Sequence, residues 1–181
     1  MFGLISLRVR DGGWGVIGLR WPVSGQRTVL SALAAAAIRI LLAALVIDPL
    51  TAHFLPAAVG SSGFDQITGH TMVALRWLFI VWTFAAFGEE IGYRGYLVTR
   101  AADVGGRSKI AYWAAVLAVS VLFGIGHFYK GPSGMVDSGM AGLILGAAYL
   151  LSGRDLVDMH SGARCFIDTF GVVALFFGSL T

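Results

Sequence analysis

Apolar residues gather into five long runs, parted by short segments that hold most of the charge. The first, Val29 to Ile47, is about 19 residues of mostly Ala and Leu, and Asp48-Pro49 is expected to end it, because proline lacks the donor a helix interior needs. The second runs from about Thr71 to about Val98, close to 28 residues and roughly 42 Å, so it overfills a hydrocarbon core of about 30 Å and its end should tilt or emerge. Ile110 to His127, about Met135 to Leu151, and about His160 to Leu180 complete the set. Runs of this length predict an all-α, multi-span integral membrane bundle, since a helix satisfies its own backbone in lipid. Residues 29–181 read as that bundle. Residues 1–28, with Arg8, Arg10, Arg20, Arg27, Trp14 and Trp21, read as a basic interfacial segment.

Composition agrees: 57% hydrophobic and 13% charged, with a mean hydropathy of +0.79, are not the numbers of a water-soluble core. The net charge of +3 comes from Lys and Arg in the connecting segments, which suits the positive-inside rule and not a nucleic-acid partner. Arg100, Arg107 and Lys109 share the basic character of the N-terminal segment, whereas the stretch from Asp48 to His70 has neither Lys nor Arg. The expected topology is multi-pass in the cell membrane, with the N-terminus cytoplasmic and the C-terminus outside. The lone Cys165 excludes an intrachain disulfide and a Cys-based zinc cluster. Met1 to Leu7 lacks the flanks of a signal peptide. Gly139, Gly142 and Gly146 in the fourth run should let a neighbouring helix approach closely.

Against this apolar background the only two glutamates of the chain, Glu89 and Glu90, sit side by side in the second run. An ionisable residue at the centre of a membrane helix costs roughly 2.5 to 3.5 kcal/mol, so such residues are read first as a functional site. Residues four apart share a helix face, which pairs Glu90 with Arg94 and leaves Glu89 facing elsewhere without a local cation. An ion pair that only anchors the helix accounts for Glu90 and Arg94 but not for Glu89, which is the candidate general base.

His127 closes the third run four residues after Phe123, whose ring can pack beneath the imidazole. A histidine there is either a helix cap or, beside a carboxylate, a group that helps hold and deprotonate a water. Counted upright from the basic ends, Glu89 lies about 16 Å deep and His127 about 27 Å. An interfacial stretch from Ala101 to about Ile110 is expected to bring them level. In the last run His160, Arg164 and Asp168 recur every four residues on one stripe, either as an Arg164 to Asp168 ion pair or as an oxyanion or substrate site. Arg39, inside the first run, must snorkel or meet a partner within the bundle.

The combination Glu89-Glu90-x-x-x-Arg94, Phe123-x-x-x-His127 and a last apolar helix bearing Asp168-Thr169 resembles the CPBP family of intramembrane proteases. That family, also called ABI, groups type II CAAX prenyl endopeptidases with bacteriocin-processing and immunity proteins. The resemblance covers roughly Arg76 to Gly178 and implies a helical bundle around a cavity open to the cytosol, acting on a membrane-associated peptide or protein. By position it makes Glu89 the catalytic base, Glu90 and Arg94 its support, His127 its partner, and Asp168 part of the oxyanion site. The family's last motif has histidine four residues before the Asn or Asp; here Arg164 stands there, with His160 one turn away. Arginine can donate to an oxyanion but cannot exchange a proton or bind a metal as imidazole does. No tightly held zinc is expected, and the resemblance leaves a divalent metal open as cofactor.

The alternative is a catalytically impaired protein of the same fold acting as an immunity or partner-binding protein, for which Arg164 is the main support. Gly131-Pro132-Ser133-Gly134 has the Gly-x-Ser-Gly form of rhomboid serine proteases but leaves both glutamates unexplained. A transporter would also place charge in the membrane, yet no inverted repeat is visible.

Overall fold

A computed structural model describes residues 5, 9, 11–19, 24–55, 66–156 and 162–178. Five helices carry the fold: α1 (Gly25–Phe54), α2 (Thr71–Asp103), α3 (Lys109–Gly126), α4 (Gly131–Leu151) and α5 (Gly162–Phe176). Single 3-10 turns lie at Trp14–Ile17 and Phe128–Lys130, and no strand occurs among the described residues. Four of the helices, α4 taken with the turn before it, are long and apolar enough to cross a membrane. The fifth, α5, has 15 described residues. α1 packs on α5, α5 on α2, α2 on α3, α3 on α4 and α4 back on α1, so the helices close into a ring. Large apolar side chains such as Leu45, Phe79, Leu117 and Phe170 remain exposed on the bundle, a surface suited to lipid.

Two helix starts are set by serine. Ser24 accepts the Arg27 N–H at the head of α1 and Ser108 accepts the Ala111 N–H at the head of α3, each covering a donor that has no partner within the helix. Asp48-Pro49, expected to end α1, does not. Ala43–Ile47 winds in the wider π register, with the Asp48 N–H bonded to the Ala43 carbonyl five residues back. A regular helix would drive the Pro49 ring into the carbonyl four residues before it. The widened turn relieves that clash, and α1 continues to Phe54.

α2 also runs on past Val98, to Asp103, and is wound in the π register from Val81 to Leu97. The expected interfacial stretch from Ala101 to Ile110 is instead the last turn of α2, a tight turn and the start of α3. In that turn Arg107 has φ 57° and donates its N–H to the Ala102 carbonyl at 2.9 Å. This conformation is uncommon for a bulky residue. Ion pairs from Arg107 to Asp103 at 2.6 Å and to Asp11 at 2.5 Å hold it, and Asp11 also takes Arg100 at 2.5 Å. The longer α2 does part of the levelling the interfacial stretch was expected to do. Glu89 lies about 14 residues from one side of the turn and His127 about 18 from the other.

The closest helix contact joins α3 and α4. A Cβ on Gly146 would fall 2.6 Å from Val116 Cγ1, and one on Gly142 would fall 3.2 Å from the Ser120 Cα. Small residues thus let the two backbones meet, as their spacing predicts. At the end of the bundle that carries the α2–α3 turn, Ile17 is fully buried against Gly95 and Leu156. The Tyr149 hydroxyl donates to the Ile17 carbonyl at 3.1 Å and the Leu156 N–H to the Gly18 carbonyl at 3.0 Å. The described N-terminal residues therefore close this end of the ring.

Candidate active site

Glu90 and Arg94 form the ion pair their spacing predicts, Oε1 to Nη1 at 3.1 Å, with both side chains buried. It is a contact of charges more than an aligned bond: among the described residues, neither Glu90 oxygen nor either terminal nitrogen of Arg94 has hydrogen-bond geometry to any group. Arg94 gains instead from lying over the Phe123 ring, 4.5 Å from its centre.

Glu89, on the next position and another face, is turned toward α5. Arg164 Nη2 donates to Glu89 Oε2 at 3.2 Å, while Arg164 Nε reaches both oxygens of Asp168 at 3.2 Å. The last helix thus supplies the cation that Glu89 lacks on its own face of α2, and one guanidinium joins two carboxylates. The hydrogen bond from Arg164 falls on Oε2 of Glu89, with none to Oε1 among the described residues.

His127 caps α3. Its Nδ1 lies 2.7 Å from the Phe123 carbonyl, and its ring packs on the Phe123 ring with centres 4.5 Å apart. A carbonyl can only accept, so Nδ1 carries the proton and, in the neutral ring, Nε2 keeps a free lone pair. Phe123 also faces Arg164, whose guanidinium carbon is 5.9 Å from the ring centre. His127 and the adjacent Tyr129 both feel the charges of Glu89 and Arg164.

Phe123, His127, Arg164 and Asp168 line a cavity of about 240 Å³ to which every helix contributes, while Glu89, Glu90 and Arg94 are not among its lining residues. Arg39 comes from α1, Val81 from α2, Phe123 from α3, Asp137 from α4, and Arg164 and Asp168 from α5, with His127 and Lys130 from the turn between α3 and α4. Arg39 meets a partner within the bundle, Asp137, at 2.5 Å. His160 lies outside the described residues. Asp137 and Lys130 were not legible as site residues. Asp137 is an acid within the fourth apolar run, and the reasoning that singles out Glu89 would have found it.

Among the described residues no three His, Cys, Asp or Glu side chains converge as metal ligands. The guanidinium of Arg164 takes the place between Glu89 and Asp168 where a cation would sit. This donor set does not fit a tetrahedral metal site.

No curated protein matches the chain, and no solved structure does. A family model described as type II CAAX prenyl endopeptidase Rce1-like matches residues 71–161. The matched stretch holds Glu89, Glu90, Arg94, Phe123 and His127, and it ends before Arg164 and Asp168. With half of its length matched, the chain belongs to the Rce1-like family of type II CAAX prenyl endopeptidases.

Proposed function

We propose that the chain is an intramembrane endopeptidase in which Glu89 and His127 activate a water against a peptide bond of a membrane-associated protein or peptide. The observation that carries this reading is a pair of acceptors, Oε1 of Glu89 and Nε2 of His127, that take no hydrogen bond among the described residues. Arg164 takes Oε2 of Glu89 and leaves Oε1, while the Phe123 carbonyl takes Nδ1 of His127 and leaves Nε2. A water held by both would pass a proton to Glu89 as its oxygen bonds to the carbonyl carbon. The oxyanion would be stabilised by the Arg164 guanidinium, which Asp168 orients. Collapse breaks the C–N bond, and the proton held by Glu89 moves to the leaving amine. No step runs through a metal. The basic N-terminal and α2–α3 segments favour a multi-pass arrangement with the N-terminus in the cytosol.

Cleavage of a panel of membrane-anchored peptides by the purified protein tests the reading. Glu89→Gln and His127→Ala should each lower the rate by about 10² or more. A wild-type protein that cleaves nothing on the panel removes the proteolytic assignment.

A second reading rests on the same guanidinium. Arg164 ties the proposed base into an ion pair, which suits a catalytically impaired member that keeps the fold as an immunity or partner-binding protein. Activity that appears only on Arg164→His would favour it.

A further inference from the structure

A second cavity, of about 440 Å³, lies at the end of the bundle away from the α2–α3 turn, where α1 finishes and α4 begins. Asp48, Thr51 and Leu55 of α1 and Ser133, Gly134 and Asp137 of α4 line it, and none of them has a role in the chemistry proposed above. Asp48, just past the widened turn of α1, is exposed. A carboxylate on the surface of a membrane span is tolerated where water reaches it, so the aqueous phase should extend to this mouth. The opposite end of the bundle is filled, with Ile17 fully buried against Gly95 and Leu156.

This outer cavity adjoins the one lined by His127 at two points. Asp137 belongs to both walls and holds Arg39 of the inner cavity at 2.5 Å. Gly134 on the outer side lies against the stem of Lys130 on the inner side, where a Cβ at 134 would fall 2.3 Å from Lys130 Cβ. Arg39 is 7% exposed, and among the described residues its Nε has no hydrogen-bond partner, so a water at this junction would satisfy a buried donor. Past the junction Ser138, His127, Arg164 and Asp168 continue the polar lining. Both cavities exceed several-fold the roughly 30 Å³ that a water occupies in the liquid, and both supply the polar partners that a buried water needs.

We propose that the two cavities form the route by which water enters the bundle and reaches His127, with the Arg39 and Asp137 pair where they meet. The use made of that water rests on the proteolytic reading. Hydrolysis consumes one water for each bond cut, and in lipid that water has to pass apolar walls. Ionisable groups at membrane depth commonly line such paths, which explains why Arg39, Asp48 and Asp137 stand in apolar runs. Glu89 lines neither cavity; it meets the route through Arg164, whose guanidinium lines the inner one. Water would thus arrive at the imidazole from the end of the bundle opposite the basic α2–α3 turn.

Access can be measured apart from cleavage. Cys165→Ser gives a background without thiols, into which Ser133→Cys, Ser138→Cys and, as a control facing lipid, Leu117→Cys are placed one at a time. Each full-length protein in lipid nanodiscs is treated with silver ion, which travels in water, and the remaining thiol is titrated. Ser133→Cys and Ser138→Cys should be lost at least about tenfold faster than Leu117→Cys. Ala52→Trp, at the mouth of the outer cavity, should protect Ser138→Cys. In the otherwise unaltered chain it should lower kcat on a membrane-anchored peptide by about tenfold and leave KM unchanged. Leu50→Trp, exposed and outside both cavities, should do neither. A Ser138→Cys thiol lost no faster than Leu117→Cys, or one that Ala52→Trp leaves open, overturns the route. Protection of that thiol with kcat unchanged overturns its supply of the site. If the silver pattern holds while the wild type cleaves nothing, the route stands and the proteolytic reading falls.

Discussion

Arg164 on α5 and Glu89 on α2 are 75 positions apart in the chain and meet at 3.2 Å, and the same guanidinium holds both oxygens of Asp168. One cation thus organises two carboxylates beside His127. Removing it should cost both a donor to the oxyanion and the partner of the proposed base. Arg164→Ala is expected to lower kcat by about 10² to 10³. Arg164→His is expected to lower it as well, because imidazole is shorter and is not charged at every working pH. Both are read as rates on a membrane-anchored peptide; a gain with histidine would belong to the impaired reading.

Glu90 and Arg94 should behave differently, as supports of the fold. Glu90→Ala leaves the buried Arg94 charge without its counter-ion, a loss of about 3 to 5 kcal/mol. The double substitution Glu90→Leu with Arg94→Met removes both charges and should recover most of that stability. Thermal unfolding in detergent measures both, and a Glu90→Ala protein as stable as wild type would contradict the placement.

The contact between α3 and α4 predicts a size limit. Gly146→Ala places a methyl 2.6 Å from Val116 Cγ1 and should destabilise by about 1 to 3 kcal/mol, and Val116→Ala in the same chain should restore part of it. Gly139→Ala, where the added carbon would meet nothing nearer than 3.5 Å, should be close to neutral.

Asp11 predicts a pH effect. Its burial alone would raise the carboxyl, but the hydrogen bond and charge of Arg107, with those of Arg100, outweigh it and hold the group below its ordinary value. A depressed folded-state pKa gives stability that is complete above the unfolded value and is lost as the pH falls through the folded one. Asp11→Asn should therefore lower the Tm above about pH 5 and make little difference near pH 2. An equal gap at both values would count against the clamp.

Much of this bundle is legible in one dimension because its rules are local. Run length marks the spans, a four-residue offset pairs Glu90 with Arg94 and Arg164 with Asp168, and glycine spacing marks the face of α4 that α3 meets. The misreadings also have local causes. The effect of Pro49 depends on a widened turn at Ala43–Ile47 that carries no proline or glycine signal of its own. The partners of Glu89 and Arg39 lie far along the chain, where spacing says nothing. Lys130 lies on a turn of three residues between two spans, and spacing in so short a turn gives no sign of which way its side chains face.

The glycine seam between α3 and α4 also bears on how a polypeptide could be admitted. Val116 and Ser120 sit where Gly142 and Gly146 leave no room for sliding, so the two helices and the turn bearing His127 should move as one wall. The opposite wall, where α5 meets α2, is held by the Arg164–Glu89 pair, by the Trp82 indole N–H donating to the Thr169 hydroxyl at 3.1 Å, and by Val172 packed with Ala74. The wall of α3 and α4 is thus fixed backbone against backbone, whereas the wall of α2 and α5 is held through side chains alone, which rotamer changes can rearrange.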